Sequence, residues 1–129
     1  MASGDVFPKM LTVPTQVGTS TTTLFTVPAG RQYTIKQIVI CNTDGVDRLI
    51  TLARGSAATA ANCFTYNLPV AGYDTIAFDT GLVFEAAETL QGLSDTASKV
   101  TITATGWDRT ISWLFLLRLV VLVLFLLVL

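Results

Sequence analysis

Histidine is absent from all 129 residues. That removes the commonest general base and the commonest metal ligand together. Cysteine occurs twice, at Cys41 and Cys63, with no CxxC pair, too few for a structural zinc site. The two read as small hydrophobes buried on strands, in preference to a disulfide. Charge is sparse at 13% of residues, with eight basic side chains scattered along the chain and a net charge of −1. Such a balance leaves no electrostatic footprint for nucleic acid, which is excluded as a partner. The start, Met1-Ala-Ser-Gly-Asp-Val6, has neither the basic nor the apolar region of a signal peptide, so a cytoplasmically made protein with reduced thiols is expected.

Catalytic constellations are missing too. Asp74 and Asp79, read as one strand, point to opposite faces of a sheet, and Glu85 and Glu88 read as solvated charges beside a turn. Serine and threonine nucleophiles have no histidine base, and no glycine-rich phosphate loop or nucleophile elbow occurs. The residues argue against an enzyme and call for no cofactor. Asn42, Asp44 and Asp47 gather oxygen atoms that suit calcium, but turn chemistry accounts for them better. Trp107, Tyr66 and Tyr73 are the candidate sugar-stacking aromatics, with core or interface packing as the plainer reading.

What the chain does have is strand pattern, with twenty threonines and no amphipathic helix. Residues 1–21 read as an extended arm interrupted by Pro8 and Pro14, in which Met10–Val13 has the pattern of a short strand. Thr22–Val27 is β-prone, and Pro28-Ala-Gly30 turns it. Gln32–Cys41 is apolar on both faces at Ile35, Ile38, Val39 and Ile40, as in a central strand covered on two sides. Asn42-Thr-Asp-Gly45 predicts a hairpin with Gly45 at positive φ, returning through Val46–Arg54. Gly55–Asn62 is a low-complexity loop. Alternation then marks strands at Cys63–Leu68, Thr75–Asp79 and Val100–Thr105, with shorter ones at Gly81–Phe84 and Thr89–Leu93. The corner Val27-Pro-Ala-Gly30 is echoed by Leu68-Pro-Val-Ala-Gly72. About eight short strands with regular turn signals predict an antiparallel, jelly-roll-like β-sandwich over residues 22–110.

Residues 111–129 break this pattern. Every position but Ser112 and Arg118 is apolar, so no face is polar, and the segment must enter a bilayer or a protein interface. As a helix it would span about 28 Å, close to the ~30 Å hydrocarbon core of a bilayer, which fits a tail-anchored membrane protein. Against this, Arg118 falls mid-span at a cost of roughly 2.5–3.5 kcal/mol, and the valines at 120, 121, 123 and 128 suit a strand equally. Burial between subunits is the preferred reading. Each fully buried apolar side chain contributes roughly 1.5–3 kcal/mol, against about 1–2 kcal/mol per residue for ordering the backbone. Trp113, Phe115, Leu116, Leu119, Leu122 and Phe125 are the candidate interface residues, and Arg118 needs a carboxylate or carbonyl from a neighbour.

Two segments carry a family likeness. Val27-Pro-Ala-Gly-Arg-Gln-Tyr-Thr-Ile-Lys-Gln-Ile-Val-Ile-Cys-Asn-Thr-Asp-Gly-Val-Asp-Arg-Leu-Ile-Thr-Leu52 and Asp79-Thr-Gly-Leu-Val-Phe-Glu-Ala-Ala-Glu-Thr-Leu-Gln-Gly-Leu93 resemble small tailed-bacteriophage virion proteins. The resemblance covers roughly residues 22–106 and leaves the tail outside. It implies a structural role in the virion, as capsid cement or decoration or as a tail or fibre component. Such a protein is made in the host cytoplasm, forms homo-oligomers, and has the major capsid protein or other virion proteins as partners.

Overall fold

The computed structural model describes residues 6–111 and 113–128, with the side chains of 113–120 outside that description. Nine strands run in chain order: β1 (Val6–Val17), β2 (Thr22–Thr26), β3 (Arg31–Asn42), β4 (Arg48–Arg54), β5 (Cys63–Val70), β6 (Thr75–Asp79), β7 (Val83–Phe84), β8 (Thr89–Ser94) and β9 (Val100–Thr110). One helix, α1 (Trp113–Val128), follows. The strands form two antiparallel sheets. The first has the order β1-β9-β3-β6, with β7 also paired to β3; the second has the order β2-β8-β4-β5. This is the all-β, antiparallel sandwich that the strand pattern predicts.

The sheets face each other across one apolar core. Ile35, Ile38, Ile40 and Ile102 come from the first sheet, Ile50, Leu52 and Leu90 from the second, and all are fully buried. Phe84 closes one end, with Phe25 edge-on at 5.1 Å and Phe64 at 6.3 Å between ring centroids. Among the described residues every buried side-chain nitrogen and oxygen has a hydrogen-bond partner, as a stable interior requires.

Several elements differ from the sequence reading, each for a physical reason. The chain pairs along Val6–Val17, well beyond Met10–Val13, because β1 is an edge strand where a proline's missing N–H costs no ladder bond. The Asn42–Gly45 turn does not close a hairpin: β3 and β4 lie in different sheets, and the turn is a corner between them. Asn42 explains this. Its amide nitrogen donates to the carbonyls of Val46 (2.9 Å), Val70 (3.0 Å) and Ala71 (3.2 Å), and its Oδ1 accepts from the Asp44 N–H, tying this corner to the β5–β6 loop. Gly45 takes no positive φ; the glycine this corner requires is Gly72, where a Cβ would overlap the Gly45 carbonyl. The two echoed corners, at Pro28 and Pro69, both carry the chain from the second sheet to the first.

Cys41 and Cys63 are free and half-exposed, and lie in different sheets; neither is the buried strand residue expected of it.

Candidate interaction surface

Two apolar surfaces stand outside the core. The first is the tail. Val121 to Val128 are all exposed, from 49% at Val123 to 86% at Val128, and this run includes the predicted interface residues Leu122 and Phe125. The side chains of Trp113, Phe115, Leu116, Arg118 and Leu119 lie outside the described residues. The helix follows β9 closely, and the Ile111 N–H is held by the Gly30 carbonyl at 2.8 Å, which fixes where the tail departs from the sandwich. Among the described residues no helix is long and apolar enough to cross a membrane.

The second surface is built by two β-bulges. β3 carries Lys36 as an extra residue between Ile35 and Gln37, and β1 carries Leu11 as one between Met10 and Thr12. Both extra residues lie beside the Ala104–Gly106 stretch of β9, so the sheet bends there from both sides. The β6–β7 connection satisfies the bulged backbone: Thr80 N–H donates to the Lys36 carbonyl (2.8 Å), and its hydroxyl donates to that of Ile35 (3.0 Å). Gly106 permits the bend, since a Cβ on it would overlap the Thr34 carbonyl oxygen.

The outcome is an open groove of about 390 Å³ on the outer face of the first sheet, lined chiefly by Pro8, Met10, Lys36, Thr105 and Trp107. Pro8 pairs with Trp107 and Met10 with Thr105, so these four side chains share the outward face. Met10 is 49% and Trp107 38% exposed, while the Lys36 ammonium sits 5.9 Å from the Trp107 ring centroid. The floor is apolar and its rim is cationic.

Beneath the groove lies a charged cluster. The Asp108 carboxylate, 7% exposed, accepts from Lys9 Nζ (3.3 Å) and Arg31 (3.5 Å), and Lys9 also donates to the Tyr33 hydroxyl (3.3 Å). Arg31 reaches on to the Thr110 hydroxyl at 3.1 Å. The hydrogen bond to Tyr33 and the negative charge of Asp108 hold the Lys9 ammonium above its ordinary pKa, with burial pulling the other way. This cluster ties β1 and β3 to the end of β9, where the tail begins.

The other sequence candidates do not converge. Trp107 lies on the outer face of the first sheet, Tyr66 on an edge strand of the second, and Tyr73 in the β5–β6 loop at the far end. The oxygens near Asn42 are engaged internally: Asp44 accepts from Arg48 Nε at 2.9 Å, and Asp47 accepts from the Gly72 N–H at 3.0 Å. Among the described residues no three histidine, cysteine, aspartate or glutamate side chains gather as metal ligands. The groove itself was missed by the sequence reading, apart from Trp107. Bulges depend on register between strands far apart in the chain, and the one local signal was Gly106 inside an alternating run.

No protein-family model matches the chain, and no curated protein matches its sequence. Solved structures do resemble it. A subunit of Bacillus endospore appendages, described as disulfide-linked pili, superposes with a TM-score of 0.54 at 11% identity, over 86% of this chain and 93% of that one. A chain of infectious bursal disease virus, Gt strain, gives a TM-score of 0.44 at 12% identity, over 81% of this chain and 32% of that one. A pentameric capsid protein from metagenomic phage sequences gives 0.38 at 18% identity, over 77% of this chain and 60% of that one. The first likeness shows a shared fold. The other two score too low to carry an argument.

Proposed function

We propose that this chain is a structural subunit of a bacteriophage virion, a cement or decoration protein that oligomerises and stabilises the shell. The observation that carries the reading is the run of exposed apolar side chains from Val121 to Val128 on a sandwich whose core is already closed without them. A subunit that works only when docked has this construction: a self-sufficient domain and a surface that water does not tolerate. The strand-and-turn resemblance to small tailed-phage virion proteins supports the virion as the place of docking. The major capsid protein or another virion protein is the partner, and the free chain oligomerises through the same tail.

Edge chemistry supports face-and-tail contacts over strand addition. Three of the four prolines, Pro8, Pro14 and Pro69, lie in the long edge strands β1 and β5, where they interrupt the row of donors that an added strand needs. Mass spectrometry of purified particles tests the assignment. The protein should be present in stoichiometric amounts relative to the major capsid protein, and its absence from the particle defeats the reading. A chain that stays with membranes after carbonate washing would establish the tail-anchor alternative, and specific capture on a glycan array would establish the adhesion-module alternative.

A further inference from the structure

We infer that the groove lined by Pro8, Met10, Lys36, Thr105 and Trp107 is the seat for helix α1 of a second copy of this chain, exchanged reciprocally in a two-fold dimer. The inference rests on the reading above that the tail makes contacts between subunits, and it names the surface that receives it.

The two surfaces match in chemistry. The helix offers apolar side chains all round apart from Arg118, and the groove offers an apolar floor of proline, methionine and indole on a sheet face that no layer covers among the described residues. Packing a helix on a sheet is an ordinary way for both to lose their exposed apolar surface. The described side chains of the helix do not occupy their own chain's groove, since Val121–Val128 are exposed. Only Ile111 and Ser112 separate β9 from α1, a spacing that leaves little chain for the helix to double back over Trp107.

Size separates this arrangement from its rivals. A helix of sixteen residues is about 24 Å long and about 10 Å wide, so one of its faces and the matching sheet surface bury roughly 480 Å². Reciprocal exchange doubles this to about 960 Å², close to the roughly 1,000 Å² that a specific interface clears, whereas one helix-to-helix contact stays at about half of it. The exchange is isologous and closes at two copies. A parallel bundle of tails would set every Arg118 at one level, bringing like charges together in an apolar interior. A bilayer would have to take Arg118 mid-span, at a cost of roughly 2.5–3.5 kcal/mol. In the exchanged dimer the outer side of each helix still faces away from the sandwich, available to the shell.

Light scattering on the full-length chain tests this with two double variants. Met10→Glu/Trp107→Glu charges the groove, and Leu122→Glu/Phe125→Glu charges the helix. Circular dichroism and thermal melting confirm that each variant folds. Each alone should dimerise at least about 100-fold more weakly than the parent, the scale of lost interface hot spots. Mixed together they should associate more strongly than either does alone, though more weakly than the parent, because one intact groove and one intact helix remain. Leu49→Glu/Tyr66→Glu, on the second sheet, should dimerise like the parent. A groove variant of unchanged mass beside a monomeric helix variant overturns the inference and leaves the tail as a contact made elsewhere. Unchanged assembly of both variants overturns the role of the tail as well. Flotation of the parent chain with phosphatidylcholine vesicles, with no dimer in their absence, overturns it in favour of a bilayer.

Discussion

Gly106 lies directly against the carbonyl oxygen of Thr34, the tightest approach made by any glycine among the described residues. The contact is backbone on backbone, so no side chain can move to relieve it. Gly106→Ala should therefore cost about 3 kcal/mol, the upper end of ordinary overpacking, read as a lower urea midpoint. It should also disturb the indole of Trp107, the adjacent residue. A variant with unchanged stability and fluorescence would show that β9 and β3 part freely at this bulge.

Asp108 joins three strands through one buried carboxylate. Asp108→Asn keeps the shape and removes the charge, leaving Lys9 and Arg31 without their partner. Both cations are partly exposed and can turn to water, so the expected loss is about 1–3 kcal/mol, less than for a fully buried pair. Combining Asp108→Asn with Lys9→Met should cost less than the sum of the two, and additivity in that cycle would show that the pair is not coupled.

Stability should fall at both extremes of pH for different reasons. Lys9 is held above its ordinary value of 10.5 by Tyr33 first and Asp108 second, so its contribution is complete below 10.5 and fades as pH rises through the raised value. Asp44 is held below its ordinary 3.8 by the hydrogen bond from Arg48, so its contribution is present above 3.8 and fades as pH falls through the lowered value. Urea midpoints across the pH range should show a flatter alkaline limb for Lys9→Met and a flatter acid limb for Asp44→Asn. The reverse assignment would contradict both causes.

How much of this was legible beforehand depended on whether the signal was local. The apolar run at Ile35, Ile38, Val39 and Ile40 marked a central strand, although only one of its faces is buried, and Val100, Ile102 and Ala104 marked the first half of its neighbour. The second half was hidden because Gly106 and Asp108 look like the end of a strand. One serves close approach and the other is buried between two cations, and both facts depend on partners elsewhere in the chain. β8 read as a weak fragment, yet it lies inside the second sheet between β2 and β4, where Gly92 makes room for Leu24 and Leu52. The tail's apolarity was plain, but its valines left helix and strand open, and α1 is a helix.

Removing the tail should separate folding from assembly. The buried core includes none of the described tail residues. Ending the chain after Arg109 removes the Arg31 bond to the Thr110 hydroxyl and the Ile111 bond to Gly30, together about 1–2 kcal/mol. A soluble, folded monomer is expected. Unfolding of the truncated chain would place the tail in the domain's own core, and normal assembly would move the contacts to the sandwich.

The edge prolines should matter more to association than to folding. Restoring a donor at each of them, with Pro8→Thr, Pro14→Thr and Pro69→Thr, should cost about 0.4–1 kcal/mol apiece, through greater freedom of the unfolded chain. Its larger effect should be to open β1 and β5 to strand addition by other copies. Measured in a background with the helix charged at Leu122 and Phe125, the triple variant should scatter light and bind thioflavin at concentrations where its parent does not. Pro28→Thr is the control, because Pro28 lies in a corner between the sheets, where a new donor faces no free edge. It should share the small loss of stability without the association. If the triple variant stays monodisperse, some other feature guards the edges, with the bulge beside Leu11 and the positive φ of Asn67 as the next candidates.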